Sequence, residues 1–177
     1  MERIMIIGCG GAGKSTLARQ LGAKLGLPVV HLDQIWWAPG NWEHIGREEF
    51  DAILAQEIKK PRWIIDGNYN RTIPERIARC DTIVYLDFSR GACLFSWVKR
   101  VITNWGKARS DMAKGCAEWF DPEMAVWIWN FNKTHREEYY KMLNEADHAE
   151  TIVLKNRRAV KQFLKELETG GVYEERV

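Results

Sequence analysis

The chain has 177 residues, of which 46% are hydrophobic and 28% are charged. These values are close to the averages of globular proteins and exclude a disordered chain, a collagen-like chain and a coiled coil as descriptions of the whole. The length favours a single domain over residues 1–177. The 26 lysines and arginines outnumber the 24 acidic residues by only two, which excludes a uniformly basic nucleic-acid-binding protein.

The start of the chain gives no sign of a membrane segment. Residues 1–7 are too short for the apolar region of a signal peptide and run into glycine. No apolar run approaches the roughly 18 residues that a membrane-spanning helix needs. We therefore expect a cytoplasmic protein with no membrane partner.

Short apolar segments alternate along the chain with segments of helical periodicity. Strands are predicted at 3–7, 29–32, 62–66, 82–86 and 151–154. Helices are predicted at 15–25, 47–59, 73–78, 89–105, 122–146 and 160–167. Loops are predicted at 34–46 and 106–121, and a frayed tail at 169–177. Continuously apolar strands have both faces covered, so the pattern predicts a parallel sheet flanked by helices, an α/β fold.

The most specific motif follows the first predicted strand. Residues Gly8-Cys9-Gly10-Gly11-Ala12-Gly13-Lys14-Ser15 match G-x-x-x-x-G-K-[ST] completely, and a helix follows. In such a P-loop, backbone amides and the helix N-terminus bind the phosphates of a nucleotide, so residues 8–16, including Thr16, are the predicted ATP site. Lys14 would contact the β- and γ-phosphates, and the Ser15 hydroxyl would bind Mg²⁺.

Two aspartates at strand ends are candidates for a second magnesium ligand. Asp66 ends the third predicted strand, and Asp87 ends the fourth. Either could instead cap a turn. We favour Asp66 because Gly67 and the basic Arg71 follow it, and Arg71 is placed to bind phosphate or an anionic substrate.

Asp33 ends the second predicted strand. The carboxyl ends of parallel strands form the ligand crevice of such sheets, so Asp33 could orient an acceptor hydroxyl and take its proton. It could equally be a residue that only begins a loop. Trp36, Trp37 and Trp42 follow closely and would either line the substrate site or cover the sheet edge.

Positive charge is concentrated in residues 90–114. This stretch carries six basic residues and one acidic residue: Arg90, Lys99, Arg100, Lys107, Arg109 and Lys114 against Asp111. The cluster is either a solvated face or part of a mobile lid over about 100–121. Because residues 106–121 lack an apolar face, we expect few buried contacts there. As a lid, the segment would bring Arg100 and Arg109 to the transferring phosphoryl group.

The P-loop, the turn at Asp33, the segment Trp63–Arg71 and the sequence Leu154-Lys155-Asn156 together resemble the adenylate-kinase-like group of P-loop NTPases. Over residues 3–167 the chain is most similar to the bacterial topology modulation proteins. This resemblance implies a five-stranded parallel sheet of order 2-3-1-4-5, with a helical lid insertion after the fourth strand. It also implies that residues 66–72 take the part of the Asp-Gly-Phe-Pro-Arg segment of nucleoside monophosphate kinases.

The chain departs from that segment in one respect. Asn68, Tyr69 and Asn70 stand in place of Phe-Pro and add one residue before Arg71. The tryptophan-rich loop after Asp33 also differs from a usual monophosphate site. Both departures argue against AMP as the acceptor.

Two functions remain open from the sequence. The first is an ATP- and Mg²⁺-dependent phosphotransferase that acts on a nucleoside, a nucleotide or another hydroxylated metabolite. The second is a regulatory nucleotide-binding protein with slow ATP hydrolysis, which influences DNA topology or gene expression and contacts DNA through residues 90–114. No helix-turn-helix, metal finger or strongly basic domain supports DNA as a partner. The acceptor and the oligomeric state are left open.

Overall fold

A computed structural model describes residues 1–40 and 42–169 of the chain. Its strands are β1 (Arg3–Gly8), β2 (Val29–His31), β3 (Trp63–Asp66), β4 (Thr82–Leu86) and β5 (Glu150–Leu154). They form one sheet in the order β2-β3-β1-β4-β5, and every neighbouring pair is parallel. The predicted α/β fold and strand order are confirmed.

Seven helices and one short 3₁₀ turn (Asn70–Thr72) connect the described strands. The helices are α1 (Lys14–Leu25), α2 (Leu32–Trp36), α3 (Arg47–Glu57), α4 (Ile73–Ile77), α5 (Arg90–Thr103), α6 (Pro122–Glu145) and α7 (Arg157–Thr169). In the described residues, no helix has the length and apolar character that a membrane crossing requires. Residues 170–177, which include most of the predicted frayed tail, lie outside the described part of the chain.

The sheet is the centre of the hydrophobic core. Every residue of β3 and β4 is buried, which explains why these strands are apolar throughout their length. Trp63, Tyr85 and Trp97 are the largest apolar side chains enclosed there. Burial on both faces holds the strand ends rigidly, and the candidate site is built on those ends.

Helix α2 corrects the predicted loop over residues 34–46. The chain turns directly from β2 into a helix, so Asp33 lies in a first helical turn. Buried Leu32 packs under Gly67, where a Cβ atom would come within 2.9 Å of the Leu32 Cβ. Trp36 packs edge-on against Phe50. These long-range contacts stabilise a helix that local periodicity does not indicate.

The segment after α5 is packed, and the expectation of few buried contacts in residues 106–121 is wrong. Its two arms pair through the bridges Trp105–Glu118 and Ala108–Ala117. Between the arms, Met112, Ala113 and Cys116 are buried and pack against Trp37. These side chains are buried because Trp37 of the tryptophan-rich loop packs against them. A contact between two distant segments leaves no periodic pattern within either one.

We call residues 37–40 and 42–46 together with 105–118 the cap. Its two parts are joined by hydrogen bonds: the Gly40 amide donates to the Lys114 carbonyl at 2.7 Å, and Trp42 Nε1 donates to the Ala117 carbonyl at 3.2 Å. Of the predicted lid residues, Arg100 lies before the cap, in the last turns of α5.

Candidate active site

The P-loop takes a conformation that requires its glycines. Gly11 and Gly13 have φ values of 79° and 99°, which side chains of L-residues rarely adopt. A Cβ atom on Gly11 would lie 2.3 Å from the Cys93 carbonyl oxygen. The Lys14 ammonium donates to the carbonyls of Gly8 at 2.8 Å and Cys9 at 3.1 Å.

A cavity of about 1000 Å³ opens above the carboxyl ends of β1, β2 and β3. It brings together most of the predicted site residues: Gly10, Gly11, Gly13, Lys14, Ser15, Thr16, Asp33, Asp66, Arg100 and Arg109. Gly8, Cys9 and Ala12 belong to the same loop but do not line the cavity, and Cys9 and Ala12 are buried beneath it. The cavity is large enough for a nucleotide and a small second substrate.

Asp66 and Ser15 meet at one end of the cavity. The Ser15 hydroxyl lies 3.4 Å from Asp66 Oδ1, while Asp66 Oδ2 forms a short hydrogen bond with Nδ1 of buried His31. A hydroxyl and a carboxylate are the oxygen ligands that Mg²⁺ prefers, so these two residues fit a magnesium ion. Nothing in the sequence indicated that His31 contacts Asp66.

Asp87, the rival of Asp66, serves a different purpose. Its side chain is buried, and Oδ2 accepts hydrogen bonds from Arg136 at 2.7 Å and from the Tyr140 hydroxyl at 2.8 Å. It does not line the cavity. Asp87 therefore anchors α6 to the sheet.

Asp33 receives a hydrogen bond that sequence reasoning missed. The Tyr69 hydroxyl donates to Asp33 Oδ1 at 2.7 Å. Burial raises the pKa of Asp33, and the Tyr69 hydrogen bond partly opposes that rise. The Tyr69 ring stacks on Phe50 with 4.9 Å between centroids, and Tyr69 has a positive φ of 40°, which is unusual for a bulky residue.

Arg76 holds the backbone that carries Tyr69. The guanidinium of Arg76 is completely buried and donates to the carbonyls of Gly67 at 2.8 Å and Thr72 at 3.4 Å, and also to that of Asn68. Burial lowers the pKa of Arg76 to about 10. The Asn68 side chain in turn accepts from the Gly8 amide at 3.1 Å, which ties this loop to the P-loop.

The structure does not bring Arg71 to the cavity, which corrects the sequence prediction. Its exposed guanidinium pairs with Asp51 through two hydrogen bonds of 2.5 and 2.7 Å. The chain passes from the left-handed Tyr69 into a 3₁₀ turn, which leaves Arg71 on the outer side and Arg76 on the inner side. The only sequence signal for Arg76 is its place between Ile73 and Ile77 on the buried side of a short helix.

Arg100 and Arg109 both line the cavity, but each is paired with an acidic side chain. Glu118 Oε1 lies 3.3 Å from Arg100 Nε and 2.6 Å from Arg109 Nε. Asp111 Oδ2 lies 2.6 Å from Arg109 Nη1, and Asp111 Oδ1 lies 3.6 Å from Arg19. Both acidic side chains are buried. Burial, together with the neighbouring charge of Arg109, lowers the pKa of Arg100.

No protein-family model and no curated protein sequence matches the chain. Among solved structures, the shikimate kinase from Bacteroides thetaiotaomicron aligns over 95% of this chain and 96% of its own length, with a TM-score of 0.56 and 17% identity. The fold is that of the shikimate kinases. The shikimate kinase from Acinetobacter baumannii, solved in complex with shikimate, covers 96% of this chain and 92% of its own, with a TM-score of 0.61 and 16% identity.

The strand order of this fold agrees with the order that the sequence resemblance implied. At 16–17% identity the likeness establishes the fold. The reaction and the acceptor have to be argued from the side chains of this chain, because one fold supports many functions.

Proposed function

We propose that this protein is an ATP- and Mg²⁺-dependent phosphotransferase that acts on a small hydroxylated acceptor. One observation carries the proposal: the P-loop at the end of β1 and Asp33 just after β2 open into the same cavity. Asp66, at the end of the intervening strand β3, lies between them in the sheet order. A phosphate-binding loop and a candidate base facing one cavity are the minimum that phosphoryl transfer to a hydroxyl needs.

The residues divide into a donor side and an acceptor side. On the donor side, Lys14 would bind the phosphates, and Ser15 and Asp66 would hold Mg²⁺. When bound, Mg²⁺ neutralises phosphate charge. Arg100 and Arg109 would stabilise the phosphoryl group after exchanging Glu118 for phosphate oxygens.

On the acceptor side, Asp33 would accept the proton of the attacking hydroxyl. The acceptor oxygen bonds to the γ-phosphorus, the bond from that phosphorus to the bridging oxygen breaks, and ADP leaves with that electron pair. The Tyr69 hydrogen bond fixes one carboxylate oxygen of Asp33 and so sets the direction of the other.

The contacts of the basic stretch 90–114 favour the enzyme over a DNA-binding regulator. Arg100 and Arg109 turn into the cavity, and the Arg90 guanidinium lies 4.1 Å over the Trp129 ring. These three arginines are engaged in contacts within the protein, so the exposed lysines Lys99, Lys107 and Lys114 are what the stretch offers to a phosphate backbone. The resemblance to topology modulation proteins therefore does not require DNA as a direct partner.

The proposal is tested by measuring ATP consumption against a panel of nucleosides, nucleotides and other hydroxylated metabolites. Lys14→Ala should abolish turnover with the productive acceptor while the fold is kept, because Lys14 lines the cavity and is not one of the buried core residues. Lys161→Ala, an exposed lysine of α7, is the control and should behave as wild type. Equal turnover in Lys14→Ala and wild type would remove the P-loop from the reaction.

Asp33→Asn tests the acceptor side separately. It should reduce turnover by about 10²–10⁴-fold, the usual contribution of a general base, while ATP affinity stays nearly unchanged. A parallel loss of ATP binding would place Asp33 at the metal or in the fold instead.

A further inference from the structure

The acceptor side of the cavity has an aromatic wall. Its members are Trp36, Trp37, Trp42 and Tyr69, which all line the cavity. The three tryptophans follow Asp33 closely in the chain, and Tyr69 is hydrogen-bonded to Asp33. Trp37 and Trp42 meet edge to face at 5.2 Å, and Trp42 is held by the Ala117 carbonyl. Rigid indole rings offer flat apolar faces, which suit a planar ring or the C–H face of a saturated ring.

Asp33 leaves one carboxylate oxygen available on this side. Oδ1 accepts from Tyr69, whereas Oδ2 accepts no hydrogen bond from the residues that the structure describes. Asp33 is partly buried and lines the cavity, so the hydroxyl of a substrate in the cavity could donate to Oδ2.

The cations that line the cavity are already paired or lie at the P-loop. Within the described residues they are Lys14, Arg19, Arg100, Arg109 and Arg157. Lys14 and Arg157 are at the P-loop end, where Arg157 Nη1 is 3.6 Å from the Cβ position of Gly13. The other three pair with Asp111 or Glu118.

On the acceptor side, the carboxylate of Asp33 therefore has no ion-pair partner among the described residues that line the cavity. Arg71, the residue that would bind an anionic acceptor in the sequence prediction, faces Asp51 outside the cavity. A carboxylate or phosphate placed against the tryptophans would meet the charge of Asp33. Arg100 and Arg109 are paired with Glu118 and Asp111, and in the proposed reaction they would turn to the phosphoryl group of ATP and not to the acceptor. Two negative charges that are brought together in a site shielded from water repel each other strongly.

From this arrangement we infer that the acceptor is an uncharged, hydroxylated ring compound, bound against the tryptophan wall with a hydroxyl on Asp33. The inference rests on the proposed phosphotransferase function and narrows its substrate class. It distinguishes this site from one that selects a nucleoside monophosphate or a carboxylic acid.

The test uses pairs of ligands that differ in one charged group: adenosine and AMP, guanosine and GMP, and the methyl ester of shikimate and shikimate itself. Dissociation constants are measured by titration calorimetry on the full chain with Mg²⁺ and a non-hydrolysable ATP analogue. In at least one pair the neutral member should bind at least about tenfold more tightly, because like charges repel at a desolvated site. The inference is overturned by equal or tighter binding of the anionic members, or by no binding of any neutral member at millimolar concentration.

Two variants test the wall and the charge balance. Trp42→Ala should weaken binding of the neutral ligand, while Trp129→Ala, an exposed tryptophan of α6 outside the cavity, should not. Glu118→Gln should increase the affinity of the anionic member relative to its neutral partner, because it removes the carboxylate that pairs with Arg100 and leaves Arg109 with Asp111 alone. Glu137→Gln is the exposed control. Unchanged relative affinity in Glu118→Gln would overturn the charge argument.

Failure of this inference is distinguishable from failure of the proposed function. If ATP is transferred to an anionic acceptor, the function stands and the inference falls. If the chain binds neither ATP nor its analogue, the proposed function itself falls. Thermal unfolding and binding of the ATP analogue are measured for every variant, so that loss of the fold is not counted as loss of the acceptor.

Discussion

Two opposing influences act on the carboxylate of Asp33. Burial raises its pKa, and the hydrogen bond from Tyr69, which favours the ionised form, lowers it. A general base must be ionised before it can take a proton. Tyr69 therefore positions Asp33 and also extends the pH range in which Asp33 can act.

Tyr69→Phe should move the acidic limb of the pH–rate profile to higher pH. The variant removes the hydrogen bond that stabilises ionised Asp33, so the pKa of Asp33 rises further and activity is lost earlier as the pH falls. The measurement is kcat/KM as a function of pH. An unshifted limb would show that Asp33 does not govern the acidic side of the profile.

Arg76 acts on the site indirectly, because it holds the backbone that carries Tyr69, and Tyr69 positions Asp33. Arg76→Met should lower the free energy of unfolding by about 3 kcal/mol, because several buried carbonyls lose their donor. Turnover should fall as well, since Tyr69 is no longer held in its positive-φ conformation. Urea unfolding measures the first effect, and Arg79→Met, on the exposed side of the same turn, should leave both values near wild type.

At the scale of elements, the cap joins the tryptophan-rich loop to the segment after α5. The Gly106 amide bonds to the Glu118 carbonyl at 2.9 Å, and the Gly40 amide bonds across to Lys114. Because backbone hydrogen bonds and a small buried cluster connect the parts, we expect the cap to open as one unit. Opening would expose the aromatic wall and release Arg109 together.

The amides of Gly40 and Glu118 should therefore show similar protection from hydrogen exchange, and a non-hydrolysable ATP analogue with acceptor should increase both. Gly115→Ala should accelerate exchange at both amides, since its Cβ would lie 2.7 Å from Gly40 Cα. Gly106→Ala is the matched control, because it has a similar positive φ but no atom within 4 Å of the Cβ position. Independent exchange of the two amides would contradict a single cap.

At the scale of the molecule, α6 connects the carboxyl end of β4 with the P-loop. Asp87 holds its second half through Arg136 and Tyr140. Its first half lies on the P-loop, where Met124 Cε would be 2.6 Å from a Cβ atom on Gly10. We therefore expect the packing of α6 on the P-loop to depend on the contact of Asp87 at the end of the neighbouring strand β4.

Asp87→Ala should lower the free energy of unfolding by about 2 kcal/mol, because the buried Tyr140 hydrogen bond is lost while half-exposed Arg136 can turn to water. ATP affinity should fall in parallel as α6 loosens over Gly10. Asp51→Ala, which breaks an exposed ion pair with Arg71, is the control and should leave stability unchanged. Equal stability of both variants would show that Asp87 is not an anchor.

The sequence by itself determined the order of the elements and the P-loop. Both depend on contiguous residues: apolar runs predict buried strands, and eight adjacent residues contain the phosphate-binding motif. Asp33 and Asp66 could be placed at the crevice because parallel strands end at the same edge. Gly67 and Arg71 favoured Asp66 over Asp87, but only the structure shows that Asp66 is the carboxylate that meets Ser15.

Only the tertiary structure decided the charge balance of the cavity. Glu118 and Asp111 together pair with three arginines that line the cavity, Arg19, Arg100 and Arg109. Arg76 takes the interior position that the sequence left to Arg71. These outcomes depend on contacts between segments far apart in the chain and on the direction of each side chain after a turn. Periodicity within a window cannot encode such contacts, because they are selected by the packing of the whole chain.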